Sequence, residues 1–103
     1  MTSKRVFNAY EIGDYESMMS LVKDMNEQQF MKEIRNTEDM PLLHYAVQNN
    51  KFDAVQALSS LPYFTELVND DSFNEGWTPL HIAVMDSTKT DLKIFRYLVD
   101  HGA

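Results

Sequence analysis

An internal repeat of 37 residues is the feature that most restricts how this chain can fold. Residues 41–47 (PLLHYAV) and 78–84 (TPLHIAV) share proline, leucine, histidine, alanine and valine in nearly the same order. His44 and His81 lie 37 residues apart, and a further step of the same length towards the N-terminus reaches Ala9. A short repeated unit buries its apolar side only by stacking on its neighbours. The period therefore predicts three stacked copies, the first of them degenerate.

Each copy has the pattern of two helices separated by a break. Glycine and asparagine tolerate the left-handed backbone that ends a helix, and such residues begin the first two breaks. After each break, apolar residues recur at i, i+3 and i+6 or i+7, which indicates a helix with one buried face. The breaks lie at 13–14, 50–51 and 86–90. The predicted second helices lie near 15–26, 52–61 and 92–99, with Leu21, Leu58 and Leu98 at equivalent positions.

The third copy carries a recognisable motif. Residues 78–83 (TPLHIA) resemble the ankyrin repeat signature at every fixed position, and residues 100–103 (DHGA) resemble the usual ending of that repeat. The resemblance covers roughly Val6 to Ala103. It implies an all-α fold, namely an ankyrin-repeat solenoid of helix-turn-helix units with short β-turn fingers. It also implies a single domain over 1–103, with repeats at approximately 4–36, 37–73 and 74–103.

The copies depart from the family pattern in length. The family period is about 33 residues, so each copy of this chain holds extra residues. Such insertions lie in loops on one face of the solenoid, where members of the family often differ. The extra residues lie at 26–36, 62–68 and 86–91. Pro62 predicts the end of a helix, followed by a short turn or strand.

The sequence leaves two adjacent positions as possible starts of the first helix in copy two. Pro41 precedes His44 by three residues, whereas Pro79 precedes His81 by only two. Met40 therefore stands where a threonine would cap the helix. In copy three that role falls to Thr78, followed by proline in the first helical turn.

Composition excludes several classes of function. The net charge is −7 and the window 52–88 holds no lysine or arginine, which disfavours a nucleic-acid partner. The acidic window is either a solvated surface or a docking face for a basic peptide. No stretch is long and apolar enough for a membrane span, and no secretory signal is visible. These features and the absence of cysteine favour an intracellular protein, cytoplasmic or nuclear.

Nothing in the sequence indicates catalysis, a metal or a cofactor. There is no glycine-rich phosphate loop and no nucleophile motif with a matching base. The spacing of His44 and His81 matches no compact set of metal ligands. The ankyrin resemblance instead implies that these histidines form hydrogen bonds between repeats.

The same resemblance implies which residues face a partner. Trp77 belongs to a finger, where it either contacts a partner or packs on the neighbouring loop. Met40 and Met85 align with surface positions and are candidates for partner contact. On the first helices, the partner-facing pairs are 48–49 in copy two and 85–86 in copy three, and Glu11 and Ile12 are their equivalents in the first copy. The full set of predicted partner-binding residues is Glu38, Met40, Gln48, Asn49, Asn74, Glu75, Trp77, Met85 and Asp86.

The function hypotheses follow from this organisation. The first is a non-catalytic protein–protein interaction module that binds a partner, with a basic segment favoured by the acidic charge, on the concave face of the solenoid. The alternative is an N-terminal fragment or capping part of a longer ankyrin array, serving as a scaffold or as an inhibitor, for example of a transcription factor. The third copy has no polar cap after it, so self-association through that end is a further hypothesis. An enzyme is the third class, and no catalytic constellation supports it.

Overall fold

The computed structural model describes residues 2–85 and 92–102. These residues form three antiparallel helix pairs, with two further helices inserted between the pairs. The predicted third break, at 86–90, lies outside the described residues. The helices are α1 (Thr2–Glu11), α2 (Tyr15–Val22), α3 (Glu27–Glu33), α4 (Leu42–Gln48), α5 (Phe52–Leu58), α6 (Phe64–Val68), α7 (Pro79–Met85) and α8 (Leu92–Asp100).

The helix ends follow from local chemistry. Gly13 (φ 78°) and Asn50 (φ 56°) adopt the left-handed backbone that ends the first helices of the first two copies, as predicted. The carboxylate of Asp14 then caps α2 by accepting a hydrogen bond from the amide of Ser17 at 3.1 Å. In copy three, the Thr78 hydroxyl accepts a bond from the amide of His81 at 3.3 Å. The sequence prediction of a threonine cap before α7 is therefore confirmed.

The core runs through all three pairs. Within each pair the two helices pack on each other, and α4 packs on α7 while α5 packs on both α2 and α8. The motif alanines are buried, which lets neighbouring first helices approach closely. Leu58 and Leu98 are fully buried as their equivalence predicts, whereas Leu21 is only half-buried. The all-α solenoid is confirmed in this arrangement.

The extra residues of the first two copies form helices that stack on each other. The expected turn is present at Pro62 and Tyr63, but α5 already ends at Leu58 and a helix that was not expected, α6, begins at Phe64. The ring of Phe30 in α3 lies 5.7 Å from that of Tyr63, whose hydroxyl donates to the carbonyl of Met25 at 3.0 Å. The ring of Phe64 lies 5.6 Å from that of His101. The insertions thus add a second line of contacts between repeats.

The structure resolves the open helix start of copy two. Helix α4 begins at Leu42 and Pro41 occupies its N-cap, three residues before His44. Thr78 lies three residues before His81, so Pro41 and not Met40 takes the place of the capping threonine. Met40 aligns instead with Trp77, and its side chain is only 5% exposed. The expectation that Met40 lies at the surface is wrong, because the extra residue shifts it into the core.

His44 links the second repeat to the third. Its ring is fully buried, and its Nε2 donates to the carbonyl of Trp77 at 2.7 Å. This hydrogen bond between repeats is the one expected from the motif. Burial lowers the pKa of His44, so the ring stays neutral and Nδ1 keeps its lone pair. That Nδ1 has no hydrogen-bond partner among the described residues, since Pro41 has neither an N–H nor a hydroxyl.

His81, the equivalent histidine of the third repeat, has the hydrogen-bond partners at Nδ1 that His44 lacks. The amide of Thr78 donates to Nδ1 of His81 at 3.1 Å, and the Thr78 hydroxyl lies 2.8 Å from the same atom. The hydrogen bonds of His81 to described residues therefore lie within its own repeat.

Replacing Pro41 by threonine is expected to raise the free energy of unfolding by about 1 kcal/mol. The new N–H and hydroxyl would supply a cap for α4 and a donor for Nδ1 of His44, together worth about 1–2 kcal/mol. Loss of the rigid proline ring would subtract about 0.4–1 kcal/mol. The backbone of Pro41 (ψ 154°) already suits a threonine cap. Chemical denaturation measures the difference. Pro41→Val, which gains the N–H without the hydroxyl, is the matched control, and equal stability of the two variants would contradict the role of the hydroxyl.

Candidate partner-binding surface

Two tight turns project between the repeats and correspond to the predicted fingers. Finger 1 spans 36–40 and is closed by a bridge between Arg35 and Pro41. Finger 2 spans 73–77 and is closed by a bridge between Phe73 and Trp77. Asp39 (φ 60°) and Asn74 (φ 54°) adopt left-handed backbone, which these residue types tolerate better than most. The turns therefore hold their tips in defined positions.

Hydrogen bonds inside each finger fix its shape. In finger 1, the side-chain oxygen of Asn36 accepts bonds from the amides of Glu38 at 2.9 Å and Met40 at 3.0 Å. In finger 2, the carbonyl of Phe73 accepts bonds from Gly76 at 3.2 Å and Trp77 at 2.9 Å. Because the backbone polar groups are used internally, the exposed tips offer mainly side chains to a partner.

Arg35 ties the two fingers together. Its Nε donates to the carboxylate of Asp39 at 2.7 Å, and its Nη1 donates to the Ser72 hydroxyl at 3.0 Å and to the Met31 carbonyl at 3.0 Å. The Arg35 side chain is only 13% exposed, so its charge is largely committed to these contacts. Sequence reasoning missed this residue, and a basic residue just before a finger was the only signal for it.

A groove lies between α1, finger 1 and α4, and we call it the α1–α4 groove. It holds one open cavity of about 590 Å³ on the finger side and a second of about 540 Å³ on the side of the loop after α1. Glu11 and Tyr45 line both cavities. The Tyr45 hydroxyl donates to Oε1 of Glu11 at 2.9 Å, which joins the first helices of repeats one and two across the groove.

Tyrosines on the groove are held in their neutral form. The hydrogen bond to Glu11 is the largest cause that raises the pKa of Tyr45, and the charge of Glu38 also contributes. Burial raises the pKa of Tyr10 to about 12, although a hydrogen bond from Asn49 at 3.1 Å acts in the opposite direction. Both phenols therefore remain protonated donors at neutral pH.

The family follows from a comparison with known protein families. The model of ankyrin repeats, in three copies, matches residues 7–103. The chain belongs to the ankyrin repeat family. No curated protein and no solved structure matches it significantly. Ankyrin repeats are generally protein–protein interaction modules and are typically non-catalytic.

The predicted partner-binding residues of this ankyrin domain differ in their exposure to solvent. Most are exposed on the fingers or on the first helices, and Met85 is 67% exposed. Trp77 is half-buried, with its ring edge-on to His81 at 6.2 Å, so it packs on its own repeat. Met40 is buried, as described above, and Asp86 lies outside the described residues. The exposed residues are Glu38, Gln48, Asn49, Asn74, Glu75 and Met85.

The third ankyrin repeat leaves an apolar side uncovered. Val47 in the second repeat is fully buried, whereas its equivalent Val84 is 54% exposed. Leu92 and Val99 are also exposed on α8. The position that is buried at Val47 in the second repeat is thus open at Val84 in the third.

Other classes of site find no support in the part of the chain that is described. Over residues 2–85 and 92–102, every helix is too short or too polar to cross a lipid bilayer. Within the same ranges, no three histidine or carboxylate side chains gather as metal ligands. The surface of fingers and first helices is thus the strongest candidate site.

Proposed function

We propose that this ankyrin domain is a non-catalytic module that binds a partner protein on the face formed by its fingers and first helices, the concave face of the solenoid. The observation that carries this proposal is the contrast between buried motif residues and exposed neighbours. His44, Ala46 and Ala83 are buried and build the scaffold, while the finger tips and the residues that end the first helices are exposed. A repeat protein recognises its partner through exposed variable residues on a fixed scaffold.

The charge of the finger tips favours a basic segment as the partner. Glu38 and Asp39 are exposed on finger 1, and Glu75 is exposed on finger 2. Arg35 is paired with Asp39, which leaves the carboxylates of Glu38 and Glu75 as the remaining charges of the finger tips. An acidic rim attracts a basic segment and raises its rate of association. We place this interaction inside the cell, in the cytoplasm or nucleus.

Charge reversal on the fingers tests this proposal. The doubly changed variant Glu38→Lys, Glu75→Lys is expected to bind a partner captured from cell lysate at least about tenfold more weakly, since each reversal replaces attraction by repulsion. Glu66→Lys with Asp53→Lys is the matched control, because both residues are exposed on other helices and the charge change is the same. Titration of the purified partner measures the affinities. Equal affinity of the test and control variants would refute the finger face.

A second candidate is a capping part of a longer ankyrin array, acting as a scaffold or as an inhibitor, for example of a transcription factor. The exposed apolar side of the third repeat favours it, because Val84, Leu92 and Val99 would be covered by a further repeat or by another molecule. Sedimentation at several concentrations tests the self-association that this side would support. An increase in mass with concentration that is lost in Val84→Lys would support pairing of two molecules through this side. A protein that stays monomeric and unfolds cooperatively would argue against such pairing and against dependence on a further repeat.

A further inference from the structure

The floor of the α1–α4 groove is aromatic. The ring of Phe7 lies 5.7 Å from that of Tyr45, at an interplanar angle of 60°. The buried ring of Tyr10 lies 5.4 Å from that of Tyr45. Phe7 and Tyr45 are only partly buried, so part of each ring faces the groove. Aromatic faces of this kind attract cations, and arginine more often than lysine.

Carboxylates stand on both sides of this floor. Glu11 of α1 accepts the hydrogen bond from the Tyr45 hydroxyl through Oε1, and among the described residues no donor is bonded to its Oε2. Glu38 of finger 1 lines the same cavity from the opposite side. Glu11, Glu38 and Tyr45 thus line one cavity, and Glu11 is bonded directly to the Tyr45 hydroxyl.

The cations around the finger-side cavity do not offset the carboxylates fully. Arg35 lines this cavity, but its guanidinium is bonded to Asp39, Ser72 and the Met31 carbonyl. Lys4 is exposed on the rim of the same cavity, whereas Lys51 lines the other cavity of the groove. With Asp39 counted beside Arg35, the finger-side cavity has three carboxylates against two cations, so it keeps a negative charge next to the aromatic rings.

We propose that the α1–α4 groove takes an arginine side chain from the partner's segment, with the guanidinium between the carboxylates of Glu11 and Glu38 and against the ring of Tyr45. Arginine suits this place better than lysine because its planar guanidinium can bond two carboxylates and stack on a ring at the same time. The finger-side cavity, about 590 Å³, is of the size that ligand sites usually have. This inference rests on the proposed function and names the chemistry of its partner.

The probe for this site is a displayed library of random twelve-residue peptides, selected on the whole chain. Enriched peptides are expected to contain arginine. One enriched peptide is then compared with its citrulline analogue, which keeps the shape of arginine without the charge. The wild-type protein is expected to bind the analogue at least about tenfold more weakly, because a charge-assisted hydrogen bond is lost.

The same comparison in protein variants locates the arginine. In Glu11→Gln, Glu38→Gln, the arginine peptide is expected to bind about as weakly as the citrulline analogue does, with no further loss on citrulline substitution. Glu66→Gln, Asp53→Asn is the control, with the same charge change on α6 and α5, and should behave like wild type. Circular dichroism verifies that each variant is folded.

The outcomes separate the two proposals. Enriched peptides without arginine, or a citrulline effect that persists in Glu11→Gln, Glu38→Gln, would overturn the arginine site and leave the finger face as the proposed function. A library without any enriched peptide would overturn the arginine site as well. Failure of the charge-reversal experiment on Glu38 and Glu75 would instead overturn the proposed function.

Discussion

Replacing Phe30 by alanine is expected to lower the free energy of unfolding by about 3–5 kcal/mol, the loss usual for a truncated core aromatic. Phe30 is almost completely buried, although it belongs to the inserted helix α3 and not to the repeat motif. Its ring packs on that of Tyr63, so the substitution would leave a cavity between two insertions. Urea unfolding followed by circular dichroism measures the loss.

A control on the same helix separates the cavity from any effect on helix formation. Gln28 is exposed in α3, and Gln28→Ala should change the free energy of unfolding by less than about 0.5 kcal/mol. If Phe30→Ala were no more destabilising than Gln28→Ala, α3 would be a dispensable surface element and not a part of the core.

Replacing His44 by alanine is expected to lower the free energy of unfolding by about 2–4 kcal/mol. The substitution deprives the Trp77 carbonyl of its donor, which costs about 1–3 kcal/mol, and it also leaves a cavity between the second and third repeats. The same change at His81, the equivalent residue, should cost only about 0.5–1 kcal/mol. His81 is exposed, and its described contacts are the cap at Thr78 and the edge-on ring of Trp77, both within its own repeat.

The two substitutions form a matched pair, because one motif position is buried between repeats and the other is not. Chemical denaturation of His44→Ala and His81→Ala under identical conditions provides the comparison. Equal losses would mean that the motif histidine acts within its own repeat, and would contradict the role assigned to the bond between His44 and Trp77.

The repeat period predicted the three helix pairs, and the ankyrin resemblance predicted the finger turns. Motif residues lie close together in the chain, and their chemistry acts locally: Thr78 caps α7, and Gly13 ends α1. The inserted helices were missed for a physical reason. Helix α6 has five residues, too few to show a helical period, and its stability comes from packing of Phe64 on later residues.

The candidate site was predictable in part because most of its residues lie at fixed positions next to the motif. The motif register correctly places Glu38, Glu75 and Met85 at exposed positions, although their role in binding stays a prediction. Met40 was misplaced because the register of copy two differs by one residue, and only the packing decides which side chain is buried. The bond from Arg35 to Ser72 joins residues 37 apart in the chain, so the link between the two fingers could not be predicted from a local pattern.

The stacked insertions affect how a partner would be met. A solenoid whose units touch along one line can rock about that line, which changes the spacing of its fingers. In this domain the Tyr63 hydroxyl donates to the Met25 carbonyl, and the Asn69 side-chain amide donates to the Gly102 carbonyl at 3.1 Å. Successive units are therefore also hydrogen-bonded along a second line. We expect these two lines of contact between repeats to make the array stiff. A stiff array sets the distance between fingers before the partner arrives, and binding then loses little conformational entropy.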